Sequence, residues 1–432
     1  MTLAPSRRSA GRRERAIVVG VCRRPSERLE TEEHLDELAR LVETAGATVV
    51  GRMLQERGAV SPATLLRRGK VEEIRVRCED LSARLMICDD DLSPAQVRNL
   101  EESLEVTVLD RSALILDIFA RRARSREART QVELAQLRYR LPRLTRQWTH
   151  LSRQAGGIGQ RGVGETQLES DRRVIRRRIA RLAEDLKGIE QERRERRKAR
   201  SGIGRVALVG YTNAGKSTIM NLLTGAATFV EDRLFATLDP LVRRCEAPGG
   251  EPFLLIDTVG FIRKLPHHLV ASFRSTLEEA ADVDLLLIVV DASSPVLGEH
   301  LRTTEETLEG LGLGDRPRLL VLNKIDRLPE PEIERLAAAY PEAIRTSALD
   351  TGHGRRLCSA IRRALAIEAA EEMVLVPATA TDILASLCSL VRVTGTEVRD
   401  GSLEIRFRSR PEVRERVARL VSAAGAAASE EG

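Results

Sequence analysis

No apolar run in these 432 residues approaches the roughly 20 that a membrane-spanning helix needs; the longest candidate, Leu285 to Val290, ends at Asp291. The six cysteines (Cys22, Cys78, Cys88, Cys245, Cys358 and Cys388) include no CxxC pair, which argues against a zinc site or a disulfide framework and leaves core or spacer thiols. The N-terminus carries Arg7, Arg8, Arg12 and Arg13 but lacks the apolar stretch and cleavage site of a signal peptide. A cytoplasmic protein without stable membrane insertion is expected.

Apolar residues make up 42% and charged residues 31%, enough apolar surface to offset chain entropy over most of the length. The length exceeds one ordinary core, so several domains are expected. The net charge of +6 is unevenly placed: between Arg172 and Arg200, 13 Lys or Arg face 5 Asp or Glu, so this stretch alone is more basic than the whole chain.

The patterning predicts an α/β multidomain architecture. Residues 1–14 read as a disordered tail. Over 15–125, β-rich runs at Ala16 to Val21, Thr48 to Met53, Arg84 to Cys88 and Val106 to Leu109 alternate with helical patterns, which indicates an α/β domain with a largely parallel sheet. Residues 126–203 carry two coiled-coil seams. Leu134, Leu137, Leu141, Leu144, Trp148 and Leu151 form the first, and Ile175, Ile179, Leu182, Leu186 and Ile189 the second. Pro142 predicts a kink or break in the first seam. Glycines between the seams force a turn, so a helical hairpin with a Gly-rich tip is expected.

From residue 204 to 370 a second α/β series follows, with strands at Val206 to Val209, Phe253 to Ile256, Leu285 to Val290 and Leu319 to Leu322, apolar on both faces as in a sheet covered by helices. Residues 371–432 read as a small C-terminal α+β unit, with a strand at Leu403 to Phe407 and a helix near Pro411 to Ser422.

The second series carries the chemistry. Gly210, Asn213, Ala214, Gly215, Lys216, Ser217 and Thr218 follow a buried strand and open a helix, the context of a P-loop. Its glycines let backbone N–H groups wrap phosphates, Lys216 reaches the β and γ phosphates, and the Ser217 hydroxyl binds Mg²⁺. Asp257 ends the next strand, where its carboxylate can hold Mg²⁺ through water, and Gly260 can sense the γ phosphate. Thr237 lies where a switch threonine would cover the metal. Asn323, Lys324 and Asp326 end another strand, and Asp326 pairs two acceptor oxygens with the N1–H and amino donors of guanine, a pair adenine lacks. Ser347 and Ala348 take the place of the loop that supports the base. The chain is therefore expected to bind GTP and GDP, with Lys216, Thr237 and Gly260 serving hydrolysis.

Phe261 follows Gly260 where many GTPases place the glutamine that orients water, so intrinsic hydrolysis is expected to be slow. A partner, or K⁺ held beside the phosphates by Asn213, would complete the site.

Gly157, Gly159 and Gly162 satisfy GxGxxG, but no β-like run precedes them, so dinucleotide binding is rejected. With Arg161, this tip reads as a probe that enters a crevice in a partner. Arg176, Arg177 and Arg181 lie off the apolar seam without interleaved aromatics, which suits phosphate contact rather than base stacking. A solvated coiled-coil face and peripheral contact with a membrane surface are the other readings of this stripe.

The segment Gly156 to Gly159, with Arg161 to Glu169 and Asp171 to Arg173, resembles the signature of the HflX family of ribosome-associated GTPases. Supporting stretches are Leu116 to Ala120, Gln131 to Leu137, the Tyr211-Thr212-Asn213 part of the P-loop and Asp257 to Ile262. Val163 stands where the family usually has proline, and Arg67 to Lys70 lacks the first glycine of its N-terminal Gly-rich motif. The resemblance implies binding to the large ribosomal subunit and its rRNA, GTPase stimulation there, and splitting or rescue of stalled ribosomes by a monomeric protein, with the hairpin loop near the peptidyl-transferase region. A GTPase of ribosome assembly or RNA processing is the alternative, and a nucleotide-gated adaptor whose coiled coil binds another helix is a reading of a different class.

Overall fold

A computed structural model describes residues 13–56, 60–146, 163–198, 203–225, 234–235, 239, 241–245, 252–264, 283–367, 370–377, 387, 391–399, 402–409 and 417. Thr237 and the tip residues Gly157, Arg161 and Gly162 lie outside them. The chain divides into two compact units, one of residues 1–190, 230–239 and 259–277, the other of residues 191–229, 240–258 and 278–432.

In the first unit the β-branched runs form a parallel sheet of order β2-β1-β3-β4, with β1 at Arg15–Cys22, β2 at Thr48–Glu56, β3 at Leu85–Cys88 and β4 at Thr107–Asp110. Helices α1 (Arg28–Thr44), α2 (Arg68–Asp80) and α3 (Pro94–Leu104) connect the strands, as parallel pairing requires. Ile17, Val19, Ile74, Met86 and Leu100 are fully buried in its core. In α2 an Arg- and Glu-rich surface leaves only Val71, Ile74 and Cys78 to mark the buried face. Arg111, 2% exposed, opens α4 (Arg111–Arg122) and is held by Glu37 and, at 2.6 Å, by Asp89. Two carboxylates around one guanidinium make that burial tolerable.

Helix α5 (Arg126–Arg140) begins at Ser125, whose hydroxyl accepts the Ala128 N–H, and stops one residue before a 3-10 segment, Leu141–Arg146. Pro142 thus ends the α-helix, as its missing N–H dictates. The second seam lies on one long helix, α6 (Val163–Lys198), tied to α5 by a two-pronged Arg178–Glu133 ion pair at 2.8 and 3.0 Å.

The second unit holds a six-stranded sheet of order β10-β9-β8-β5-β7-β6, formed by β5 (Gly204–Val209), β6 (Leu241–Cys245), β7 (Phe253–Asp257), β8 (Leu285–Asp291), β9 (Arg318–Asn323) and β10 (Ile344–Arg345). All neighbours are parallel except β6 and β7. Helices α7 (Lys216–Thr224), α8 (Leu297–Gly310), α9 (Glu330–Ala339) and α10 (Thr351–Ile367) accompany it, and Ile219, Leu357 and Ile361 are buried with Val206, Leu208 and Leu287 in one core. The C-terminal strand prediction becomes β13 (Ser402–Ser409), flanked by β11 (Ala370–Pro377) and β12 (Arg392–Arg399) in an antiparallel sheet that sequence patterning did not reveal. The helix expected near Pro411 to Ser422 falls almost wholly outside the described residues.

Candidate nucleotide-binding site

The parallel topology sends the carboxyl ends of β5, β7, β8 and β9 to the same edge of the sheet, the edge where open α/β folds bind ligands. Strand β5 runs directly into the loop from Gly210 to Lys216. Gly210 has φ 141°, and a Cβ there would sit 2.1 Å from the Val289 carbonyl oxygen of β8, so no side chain fits. Gly215 has φ 95°, and its Cβ would meet the Asn323 side-chain nitrogen at 2.2 Å. Both glycines serve close approach as well as backbone conformation.

Lys216 begins α7 and is 6% exposed. Its ammonium donates to the carbonyls of Gly210 (3.0 Å) and Tyr211 (2.8 Å), across the curve of the loop. Burial lowers its pKa to about 8, against the opposing pull of Asp257. The Ser217 hydroxyl donates to Asp257 Oδ2 at 2.6 Å, so the two expected metal ligands converge. A hydroxyl and a carboxylate are hard oxygen donors of the kind Mg²⁺ selects. The Thr258 hydroxyl donates to the Leu208 carbonyl at 2.7 Å, which pins the end of β7 to β5. Gly260 and Phe261 are both buried, and Phe261 offers no hydrogen-bonding side chain.

The residues expected to read the base interlock with the P-loop. Asn323, 1% exposed at the end of β9, donates from Nδ2 to the Ala214 carbonyl (2.8 Å) and accepts the Ala348 N–H on Oδ1 (3.0 Å). One amide thus spans the loop before α7 and the loop after β10. Lys324, with φ 64°, donates to the Asn213 carbonyl at 2.8 Å and to Asp291 Oδ2 at 2.7 Å. Burial works to raise the Asp291 pKa, but the hydrogen bonds from Lys324 and Ser293 outweigh it and hold the carboxyl below its ordinary value. Asp326 follows in a 3-10 turn and is exposed. Thr218 lies in the first turn of α7, half-buried.

Two features escaped the sequence reading. Asp291 ends the apolar run of β8, and a lone acid closing a buried strand at the ligand edge was the available signal. The Tyr211 ring stacks on His300 of α8, with centroids 3.9 Å apart and planes 15° from parallel, a pairing no local pattern announces. On α6, Arg176, Arg177 and Arg181 are exposed, and Arg176 approaches Glu169 at 3.6 Å. No helix among the described residues is long and apolar enough to cross a membrane.

Comparison with known proteins matches three consecutive family models: "GTP-binding GTPase N-terminal" over residues 32–120, "GTP-binding GTPase Middle Region" over 122–200 and "50S ribosome-binding GTPase" over 205–324. The chain is 52% identical over 319 residues to the GTPase HflX of Caldanaerobacter subterraneus subsp. tengcongensis, covering 73% of each chain. It is 42% identical to that of Akkermansia muciniphila, over 90% of this chain and 93% of that one, and 45% identical to that of Escherichia coli, over 80% and 82%. With these identities extending over most of its length, the chain belongs to the HflX family of GTPases.

Proposed function

We propose that the protein binds GTP with Mg²⁺, hydrolyses it, and uses the nucleotide state to engage the large ribosomal subunit and split or rescue stalled ribosomes in the cytoplasm. The observation that carries this reading is the convergence around Asn323, which joins the P-loop carbonyl of Ala214 to the backbone of Ala348, beside the Ser217–Asp257 pair.

In this reading the N–H groups from Asn213 to Thr218 cradle the phosphates and Lys216 neutralises the β and γ oxygens. Ser217 and Asp257 would hold Mg²⁺, with Thr237 covering it; a bound ion would offset the charge of the phosphates. The Gly260 N–H senses the γ phosphate. Asn323, Lys324, Asp326, Ser347 and Ala348 form the guanine pocket. Phe261 positions no water, so the ribosome completes the catalytic arrangement, with K⁺ beside Asn213 as the other candidate. Arg176, Arg177 and Arg181, together with the tip residues Gly157, Arg161 and Gly162, make the rRNA contact, which family membership supports.

The base assignment has a direct test. Asp326→Asn exchanges an acceptor for a donor, so GTP binding is expected to weaken about tenfold to a hundredfold, while xanthosine triphosphate, which presents an acceptor there, gains. Titration of both nucleotides into wild type and variant measures this; unchanged GTP affinity removes Asp326 from the pocket.

A further inference from the structure

The base-supporting loop is held by a side chain that no motif identifies. Strand β10 pairs with β9 through Ile344 and Arg345, and the Thr346 N–H extends this pairing to the Leu322 carbonyl at 2.8 Å. The chain then leaves the sheet, so the next two N–H groups need partners elsewhere. Ala348 finds the Asn323 side chain. Ser347, only 3% exposed, donates its N–H to Nδ1 of His353 at 3.0 Å.

A backbone N–H can only donate, so Nδ1 is the acceptor and the hydrogen of the neutral ring sits on Nε2. The Asp350 carboxylate lies 4.0 Å from the same nitrogen, beyond hydrogen-bond reach, and is engaged instead by the Gly352 N–H at 2.6 Å. His353 itself stands on a firm base. It lies in the first turn of α10, whose Gly354 packs so closely on α7 that a Cβ there would fall 2.8 Å from Leu222. Helix α7 is the one that Lys216 opens.

We propose that His353 is a positioning residue for guanine recognition: its Nδ1 fixes the Ser347 N–H and so sets the Ser347–Ala348 segment against Asn323. The imidazole works through the loop and touches no reacting atom. Without an acceptor at this point the buried Ser347 N–H loses its partner, and the loop must shift to find another. That shift moves Ala348 off Asn323, whose other end holds the P-loop. This inference rests on the guanine-pocket reading above.

The test compares steady-state GTP hydrolysis and GDP binding by wild type, His353→Ala, His353→Asn and Asp326→Asn. Base positioning contributes equally to ground and transition states, so His353→Ala is expected to raise KM and the GDP Kd roughly two- to tenfold with kcat unchanged. The Asn Oδ1 takes the place of Nδ1 and is expected to bring both constants back to within about twofold of wild type. A role confined to packing would not distinguish the two variants in this way. Wild-type affinity in His353→Ala, or equal weakening in both His353 variants, overturns the assignment while an impaired Asp326→Asn keeps the guanine pocket standing. If Asp326→Asn also binds normally, the pocket reading and the His353 inference fall together.

Discussion

Lys216→Ala is expected to bind GTP and GDP at least roughly thirtyfold more weakly than wild type, because it leaves a phosphate charge without its buried partner. Its apo melting temperature is expected not to fall at pH 7. The reason is the buried ammonium itself: its pKa lies near 8 in the fold against 10.5 in the open chain. Between these values the unfolded chain binds the proton that the native state has released, so stability rises with pH across that window. Below about pH 8 both states are protonated and the native state carries the full cost of burying charge. Removing the lysine relieves this cost, and wild type is expected to gain on the variant as pH climbs from about 8 towards 10.5. Melting curves with and without GDP across this range check both halves. A variant that melts well below apo wild type at pH 7 would make the lysine a structural residue.

Large ribosomal subunits are expected to accelerate GTP turnover by roughly 10³-fold or more, the range in which activating partners act on GTPases whose own site is incomplete. Phe261 is the reason for placing this protein in that group, since a buried phenyl ring cannot orient a water molecule. The stimulation is expected to pass through the exposed arginines of α6. Replacing Arg176, Arg177 and Arg181 by Glu reverses three charges on a face remote in sequence from the P-loop. Stimulation then falls, and the slope of log affinity against log salt shrinks by roughly 2 to 3, while GTP affinity of the free protein stays at the wild-type value. If the triple variant is stimulated normally throughout a salt titration, this face is solvated and contacts no RNA. K⁺ dependence of the subunit-free rate separates the cation reading from the partner reading.

The second α/β series was legible because its strands are apolar on both faces and three of the four end on a motif: Val209 before the P-loop, Ile256 before Asp257, Leu322 before Asn323. Strand β6 was not, since Arg243 and Arg244 interrupt it and its position at the sheet edge asks for burial on few residues. The first half of the first seam was legible as a helix, and Pro142 as a break in the seam, because proline acts through the backbone alone; Trp148 and Leu151 lie outside the described residues. What sequence could not supply is the long-range pairing. Arg111 with Asp89 and Glu37, Tyr211 with His300, and Ser347 with His353 depend on which loops the sheet brings together. The motif residues Lys216, Ser217, Asp257 and Asn323 were readable one by one. Their mutual contacts, through which a single amide of Asn323 joins the Ala214 carbonyl to the Ala348 N–H, are a property of the fold.

Co-sedimentation with isolated large ribosomal subunits, in a non-hydrolysable GTP analogue and in GDP, tests the central claim most directly. The nucleotide-switch account predicts that the protein pellets with the subunit in the analogue and stays in the supernatant in GDP, at physiological salt. Equal pelleting in both nucleotides, or none in either, would contradict it.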